Sequence, residues 1–401
     1  MSLPNTILVY VYLNLGSKQQ RVGRLALKDR RIFFEYDSSF HKTKLELSPF
    51  KLPLQPNLVV CEDPIFEGLF GVFNDSLPDG WGRFLLDRKL RTLNINPGNL
   101  SALDRLCYVG KHGMGALIYE PAITDNTHSH PIDLDQIADE ALYVLENDDD
   151  RFVDDLLHLS GASAGARPKI ITAINNEEWI IKFRSLLDPK DIGPIEYAYY
   201  LMAKEAKLNV SEAKLFPSKK GAGYFGAKRF DRAQGQHLHM HTMSGLLHAD
   251  HRLPSLDYEM HLKATLLLTK DARECEKQFR VAVFNILSHN RDDHAKNFSF
   301  LMDEKGTWRV SPAYDLTFSF GPNGEHCSTV MGEGKNPTFS HLLKLAEVVG
   351  IKKQKALQII DEVSLVISNW KTFAQEAGVS ASSSKAIETA ITQIRKKFSH
   401  P

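Results

Sequence analysis

At 401 residues the chain is long enough for two or three domains with sizeable cores. Its 43% hydrophobic and 24% charged residues are ordinary for a globular protein and argue against disorder over most of its length. Lys+Arg and Asp+Glu both total 49, so no net charge draws the molecule toward DNA or an anionic membrane; any nucleic-acid contact must come from a local patch or a partner.

The first apolar stretch, Ile7–Leu15, is interrupted by Asn14, has no basic region before it and is too short to span a bilayer. It reads as a β-strand over Leu8–Leu13, followed by a turn at Asn14–Ser17 and further strands around Val22–Leu25 and Ile32–Tyr36. Pro49, Pro53 and Pro56 separate this region from a helical one containing Trp81–Leu86. The polar stretch Ala122–Pro131 is the best boundary, giving a β-rich N-terminal subdomain over residues 1–121. The four cysteines lie far apart with no CxxC pair, as expected of thiols in a reducing compartment, so a cytoplasmic location is expected.

A second unit, residues 132–219, opens with a helix near Leu134–Leu145 and continues into a Gly-rich segment from Ser160 to Lys169. Two strands follow, Ile170–Ile174 and Trp179–Phe183, then a helix with Ala198, Leu201, Met202 and Ala206 on one face. Strands are expected at Ala213–Phe216 and Tyr224–Phe230. The remainder, residues 222–401, is mainly helical, with apolar stripes at Phe279, Val283, Ile286, Leu287 and at Ala356, Ile360, Val363, Ile367. His237, His239 and His241 alternate as on one strand face; a polar strand face with one buried histidine explains them better than a zinc site does.

The chemistry concentrates between His289 and Asp315. Asp292 precedes Asn297 by five residues, and Asp315 follows across a hairpin of Phe298–Met302 and Trp308–Val310. Protein kinases lay out a base and two magnesium ligands in this way: Asp292 would orient an acceptor hydroxyl, while Asn297 and Asp315 are the oxygen donors magnesium prefers. His294 and Lys296 lie between them, where they could neutralise phosphate oxygens. Taken alone, Asp292-Asp293 could equally be a solvated turn. Upstream, Lys182 in an apolar strand is either an edge residue or a lysine that pairs with nucleotide phosphates and with Glu196 on the next helix. In the Gly-rich segment Gly161, Gly165 and the small residues Ala162, Ala164 and Ala166 would let backbone N–H groups approach phosphates, and Ser163, Arg167 and Lys169 are further candidates for binding the nucleotide there. Ser160 and Ser163 are either ordinary turn residues or phosphorylation sites whose added charge would eject the loop.

Several segments together resemble the HipA-type kinase toxins of bacterial toxin–antitoxin systems, and the resemblance covers nearly the whole chain. They are Phe73–Gly82, Gly110–Leu117, Gly165–Lys169, Ile181-Lys182, Lys228–Arg232, Asp292–Phe298 and Tyr314-Asp315. The resemblance implies an α+β, two-lobed protein-kinase-like fold, with a mixed N-lobe, a mainly helical C-lobe and the β-rich subdomain fused ahead of them. It implies a serine/threonine protein kinase using ATP and Mg2+, with Asp292 catalytic, Asn297 and Asp315 holding metal, and Lys182 and Tyr314 at the nucleotide. Lys228, Arg229 and Phe230 would form the hinge that reads adenine through backbone atoms. It further implies autophosphorylation, persistence, an aminoacyl-tRNA synthetase as substrate, and a helix-turn-helix, HipB-like antitoxin that reaches operator DNA. In ungapped register on Lys169, the usual self-phosphorylated serine falls on Ala162, leaving Ser163 or Ser160 for that role. A kinase fold acting on a small molecule, and an antitoxin-binding corepressor without essential catalysis, are the alternatives.

Overall fold

The computed structural model describes residues 6–16, 18–123, 132–161, 165–233, 235–254 and 256–398. The N-terminal part is a five-stranded antiparallel sheet of β1 (Leu8–Leu15), β2 (Lys18–Lys28), β3 (Arg31–Tyr36), β4 (Val59–Val60) and β5 (Leu117–Glu120), ordered β4-β3-β2-β1-β5. Its inward face follows the two-residue period of a half-buried strand, with Val9, Val11, Leu13 and Leu15 buried along β1. The expected Asn14–Ser17 turn is shorter than its composition suggests. β1 continues through Asn14, whose N–H donates to the Ala116 carbonyl (2.8 Å), and through Leu15, which pairs with Lys18. Ser17 lies outside the described residues. Three helices complete this part: α1 (Gly71–Asn74), α2 (Gly80–Thr92) and α3 (Ala102–Val109), the last opened by a Ser101/Asp104 capping box.

A second antiparallel sheet, ordered β6-β7-β9-β8, joins β6 (Lys169–Ile174), β7 (Glu177–Lys182), β8 (Ala213–Phe216) and β9 (Tyr224–Lys228). Helices α4 (Leu134–Glu146) and α5 (Val153–Ser160) precede it, and α6 (Ile192–Glu205) lies between β7 and β8. The buried stripe of α6 is Ile195, Ala198, Tyr199, Met202 and Ala203, so Leu201 sits beside the expected face and is only half-buried. Beyond β9 the chain is mainly helical. Phe279, Val283, Ile286 and Leu287 are buried on helix Ala272–Leu287, and Ala356, Ile360, Val363 and Ile367 on Lys353–Ile367. The predicted hairpin is present as strands Ser299–Met302 and Trp308–Val310, with His239–Thr242 added at the side of the first. The architecture is therefore α+β, with a mixed sheet-and-helix lobe, a mainly helical lobe and a β-rich part fused in front.

Packing binds the three parts together. One continuous core runs from the N-terminal sheet into the C-terminal helices. A second unites Trp81 and Leu85 of α2 with α4, α5, Ile170, Trp179 and Ile181. The histidines serve this joining: His239 Nε2 meets the Leu47 carbonyl (2.9 Å), while His241 contacts Asp75 (2.6 Å) and Ser48 (2.9 Å). His237, by contrast, stands on a separate short strand and contacts the Gly115 carbonyl. Asp231, fully buried, accepts from Arg229, Arg232 and the Gly115 N–H (2.7 Å). Removing one member of a buried charge cluster strands the others. Asp231→Ala is therefore expected to lower unfolding free energy by about 3–5 kcal/mol, measured by denaturant titration.

Candidate functional site

A cleft of about 600 Å3 opens between the β6–β9 sheet and the helical lobe, with Asp79 and Gly80 of the N-terminal part forming a further wall. Lys182 ends β7, a central strand, so its side chain enters the cleft and not solvent. Its ammonium donates to Glu196 of α6 (2.5 Å) and to Asp315. Burial opposes the lysine's charge, but the two carboxylates outweigh it and raise its pKa to about 12. Burial likewise works against the Asp315 charge, yet Lys182 and Lys169 hold that carboxyl well below the usual range. Burial pushes Glu196 upward, against the pull of Lys182.

The segment after helix Ala272–Leu287 brings His294, Lys296, Asn297, Tyr314 and Asp315 to the same cleft. Asn297 ends a single 3-10 turn over Ala295–Asn297, and its amide nitrogen donates to the Asp292 carbonyl (2.7 Å). That bond leaves the Asn297 Oδ1, and Asp315 keeps Oδ2 beyond its bond to Lys182; both are hard oxygens suited to magnesium. Asp292 is not among the residues lining the cleft; its side chain is 56% exposed and stands 4.0 Å from His294, which does line it. Desolvation by the surrounding protein raises its carboxyl above the ordinary range, and Asp315 adds to the shift while His294 opposes it. Its neighbour Asp293 is buried, accepting from Tyr258 Oη (2.8 Å), His326 Nδ1 (2.8 Å) and Ser328 N–H (3.2 Å). One aspartate is largely exposed beside His294; the other anchors the segment from within. Tyr314 is half-buried, its hydroxyl donating to the Lys296 carbonyl and its ring 5.3 Å from that of Phe230.

The Gly-rich segment fits its expectation less completely. Ser163 and Ala164 lie outside the described residues, as does Ala162. Ala166 lines the cleft, whereas the Gly165 N–H, expected to face phosphate, donates to Asp79. Arg167 pairs with Asp188 (3.1 Å) and stands 4.0 Å from Glu196. Lys169 is buried at the cleft floor, and burial pulls its ammonium down to about 8. Ser160 belongs to α5, not to a loop: its buried hydroxyl accepts from Trp81 Nε1 (2.8 Å) and donates to the Lys169 carbonyl (2.9 Å). In this conformation it is inaccessible to a phosphoryl donor, contrary to its expected role. The hinge is narrower than expected as well. Lys228 donates its N–H to Glu212 and accepts Ser211 Oγ at its carbonyl, and the Arg229 N–H goes to Glu178. Of the three hinge amides, only that of Phe230 has no partner among the described residues.

The profile of the HipA-like C-terminal domain matches residues 161–395, more than half of the chain, and that of the HipA N-terminal domain matches residues 13–120. The chain belongs to the HipA family. Y4mE, a candidate kinase of Sinorhizobium fredii, is 34% identical over 110 residues, which are 27% of this HipA-family chain; the match spans 20% of that relative's length. HipA from the Shewanella oneidensis MR-1 complex of HipA, HipB and operator DNA superposes with a TM-score of 0.73 at 17% identity, covering 97% of both chains. This likeness establishes the fold. Among the described residues of this HipA-family protein, no helix is long and apolar enough to cross a membrane.

Asp79 was missed as a site residue. It accepts from the Gly165 N–H and from Lys296 (2.5 Å), and His251 stands 3.8 Å away. Burial acts against its charge, but Lys296 and Gly165 hold its carboxyl below the ordinary range. The motif Phe73–Gly82 marks the segment as part of the HipA resemblance, yet nothing in it points to the cleft, because both partners lie far along the chain.

Proposed function

We propose that this HipA-family protein is an ATP- and Mg2+-dependent serine/threonine protein kinase that acts as the toxin of a cytoplasmic toxin–antitoxin pair. The observation that carries this reading is Lys182 held between Glu196 and Asp315 in one cleft with Asn297, whose side-chain amide donates to the carbonyl of Asp292. In the proposed mechanism the Phe230 N–H reads adenine, Lys182 and Lys169 hold phosphates, and Lys296 and His294 face the transferring group. Asn297 and Asp315 would hold Mg2+, which supplies charge neutralisation at the phosphates. Asp292 accepts the proton of the acceptor hydroxyl as its oxygen bonds to the γ-phosphorus and the bond to the β-phosphate breaks.

The substrate is proposed to be a component of translation, of the aminoacyl-tRNA synthetase class, with a HipB-like helix-turn-helix antitoxin that carries the pair to operator DNA. Ser163 is the remaining candidate for autophosphorylation. Phosphoproteomics after brief expression, with Asp292→Asn as control, tests the reading. New phosphoserine or phosphothreonine on the chain and on a translation protein is expected. A wild-type chain that transfers no phosphoryl group to any protein would overturn it.

Lys169 adds a pH dependence. A phosphate favours the protonated ammonium, so ATP affinity should weaken as pH rises through about 8. Lys169→Met should bind weakly throughout and lose this limb in a titration of ATP binding. The sign for stability is opposite. With a lysine pKa of 10.5 unfolded and about 8 folded, the unfolded chain binds more protons in between, so this group's contribution to stability rises with pH across that window.

A further inference from the structure

The N-terminal part holds the end of the Gly-rich segment beside the cleft through three consecutive residues, Asp79-Gly80-Trp81. Both backbone polar groups of Gly165 are taken by them: its N–H donates to the Asp79 carboxylate and its C=O accepts the Trp81 N–H (3.0 Å). The fit is close enough that a Cβ on Gly80, itself at φ +43, would come within 2.5 Å of the Gly165 oxygen. Trp81 adds a second attachment through its indole N–H to Ser160. The other Asp79 oxygen takes Lys296, whose side chain is 8% exposed. Asp79 is the first residue before α2, yet makes no capping bond to that helix; its acceptors are spent across the cleft instead.

We propose that Asp79 is a positioning residue for phosphoryl transfer, holding Lys296 and the Gly165 end of the Gly-rich segment at a fixed separation across the cleft. The inference rests on the kinase reading for its catalytic consequence but not for the contact itself. A lysine ammonium has three N–H donors, so Lys296 can keep Asp79 and still offer donors to a phosphate oxygen. Without the carboxylate, a nearly buried cation with several free rotamers has nothing aiming it. His251, 3.8 Å away and itself held mostly neutral by burial, does not replace it.

Two readouts on the full chain decide the matter. The first is hydrogen exchange at the Gly165 amide without nucleotide. Asp79→Ala should raise it about tenfold, the loss of one hydrogen bond, while amides in helix Lys353–Ile367 stay protected. Should that variant unfold, Asp79→Asn keeps one acceptor in place of two and should give a smaller rise. Unchanged Gly165 exchange in the folded variant overturns the proposal.

The second is a kinetic cycle. Asp79→Asn should lower kcat about ten- to a hundredfold, and the double variant with Lys296→Met should be no slower than Lys296→Met alone. Additive losses overturn the proposal, because Asp79 would then not act through Lys296. Tighter ATP binding with unchanged kcat also overturns it, since the carboxylate would then be competing with phosphate. If the wild type transfers no phosphoryl group, the kinase reading fails and the exchange measurement still judges the contact.

Discussion

Asp292→Asn is expected to slow phosphoryl transfer about a hundred- to ten-thousandfold while leaving the fold and nucleotide binding intact. The separation follows from where this carboxylate sits. It is more than half exposed, and its nearest side-chain partners are His294 at 4.0 Å and Cys327 Sγ at 3.9 Å, neither a strong tether. Its replacement removes a proton acceptor without stranding a buried group. Because its carboxyl is raised, wild-type activity should fall on acidification above the ordinary carboxylate range, as the base takes up its proton. Asp293→Asn makes the contrast. That side chain is fully buried among Tyr258, His326 and Ser328, so its replacement should lower the unfolding temperature as well as the rate. Thermal unfolding beside single-turnover kinetics distinguishes the two. Equal stability losses at both positions would contradict the assignment of Asp292 to the reaction.

Lys182→Met should abolish transfer and destabilise the protein together. Glu196 is 3% exposed at its side chain and Asp315 stands on the other side of the same ammonium. Removing the cation leaves the buried Glu196 carboxylate beside Asp315 with Arg167, 4.0 Å away, as a weaker counter-charge, at a cost of about 3 kcal/mol. The double variant Lys182→Met/Glu196→Leu should recover much of that stability, because an apolar pair of similar size carries no desolvation penalty, but none of the transfer. Recovery of activity in the double variant would exclude Lys182 from nucleotide binding. The Asp315 contribution has its own sign. Its folded pKa is depressed, so its stabilisation is present above the carboxylate's ordinary pKa and fades as pH falls toward the folded value.

Local information made much of this site legible. Asn297 and Asp315 flank one hairpin encoded by apolar runs around an Asp303–Gly306 turn, so their meeting in the cleft follows from the geometry of that single element. Lys182 and Glu196 are likewise separated by one strand end and the start of one helix. Three strands of the N-terminal sheet, the α6 and C-terminal helices and the strands around Lys182 announce themselves by composition and periodicity, whereas β4 and β5, short and far along the chain, do not.

Contacts between distant segments were a different matter. Only the folded chain decided that Asp79 meets Gly165 and Lys296, 86 and 217 residues away, and that Ser160 closes a helix instead of opening a loop. Only the fold likewise spent the Lys228 and Arg229 amides inside the protein. Residue type and spacing report what a segment can form with its neighbours. Which of several carboxylates a given lysine reaches depends on how separate elements pack, and that is settled by burial across the whole core rather than by any stretch of sequence.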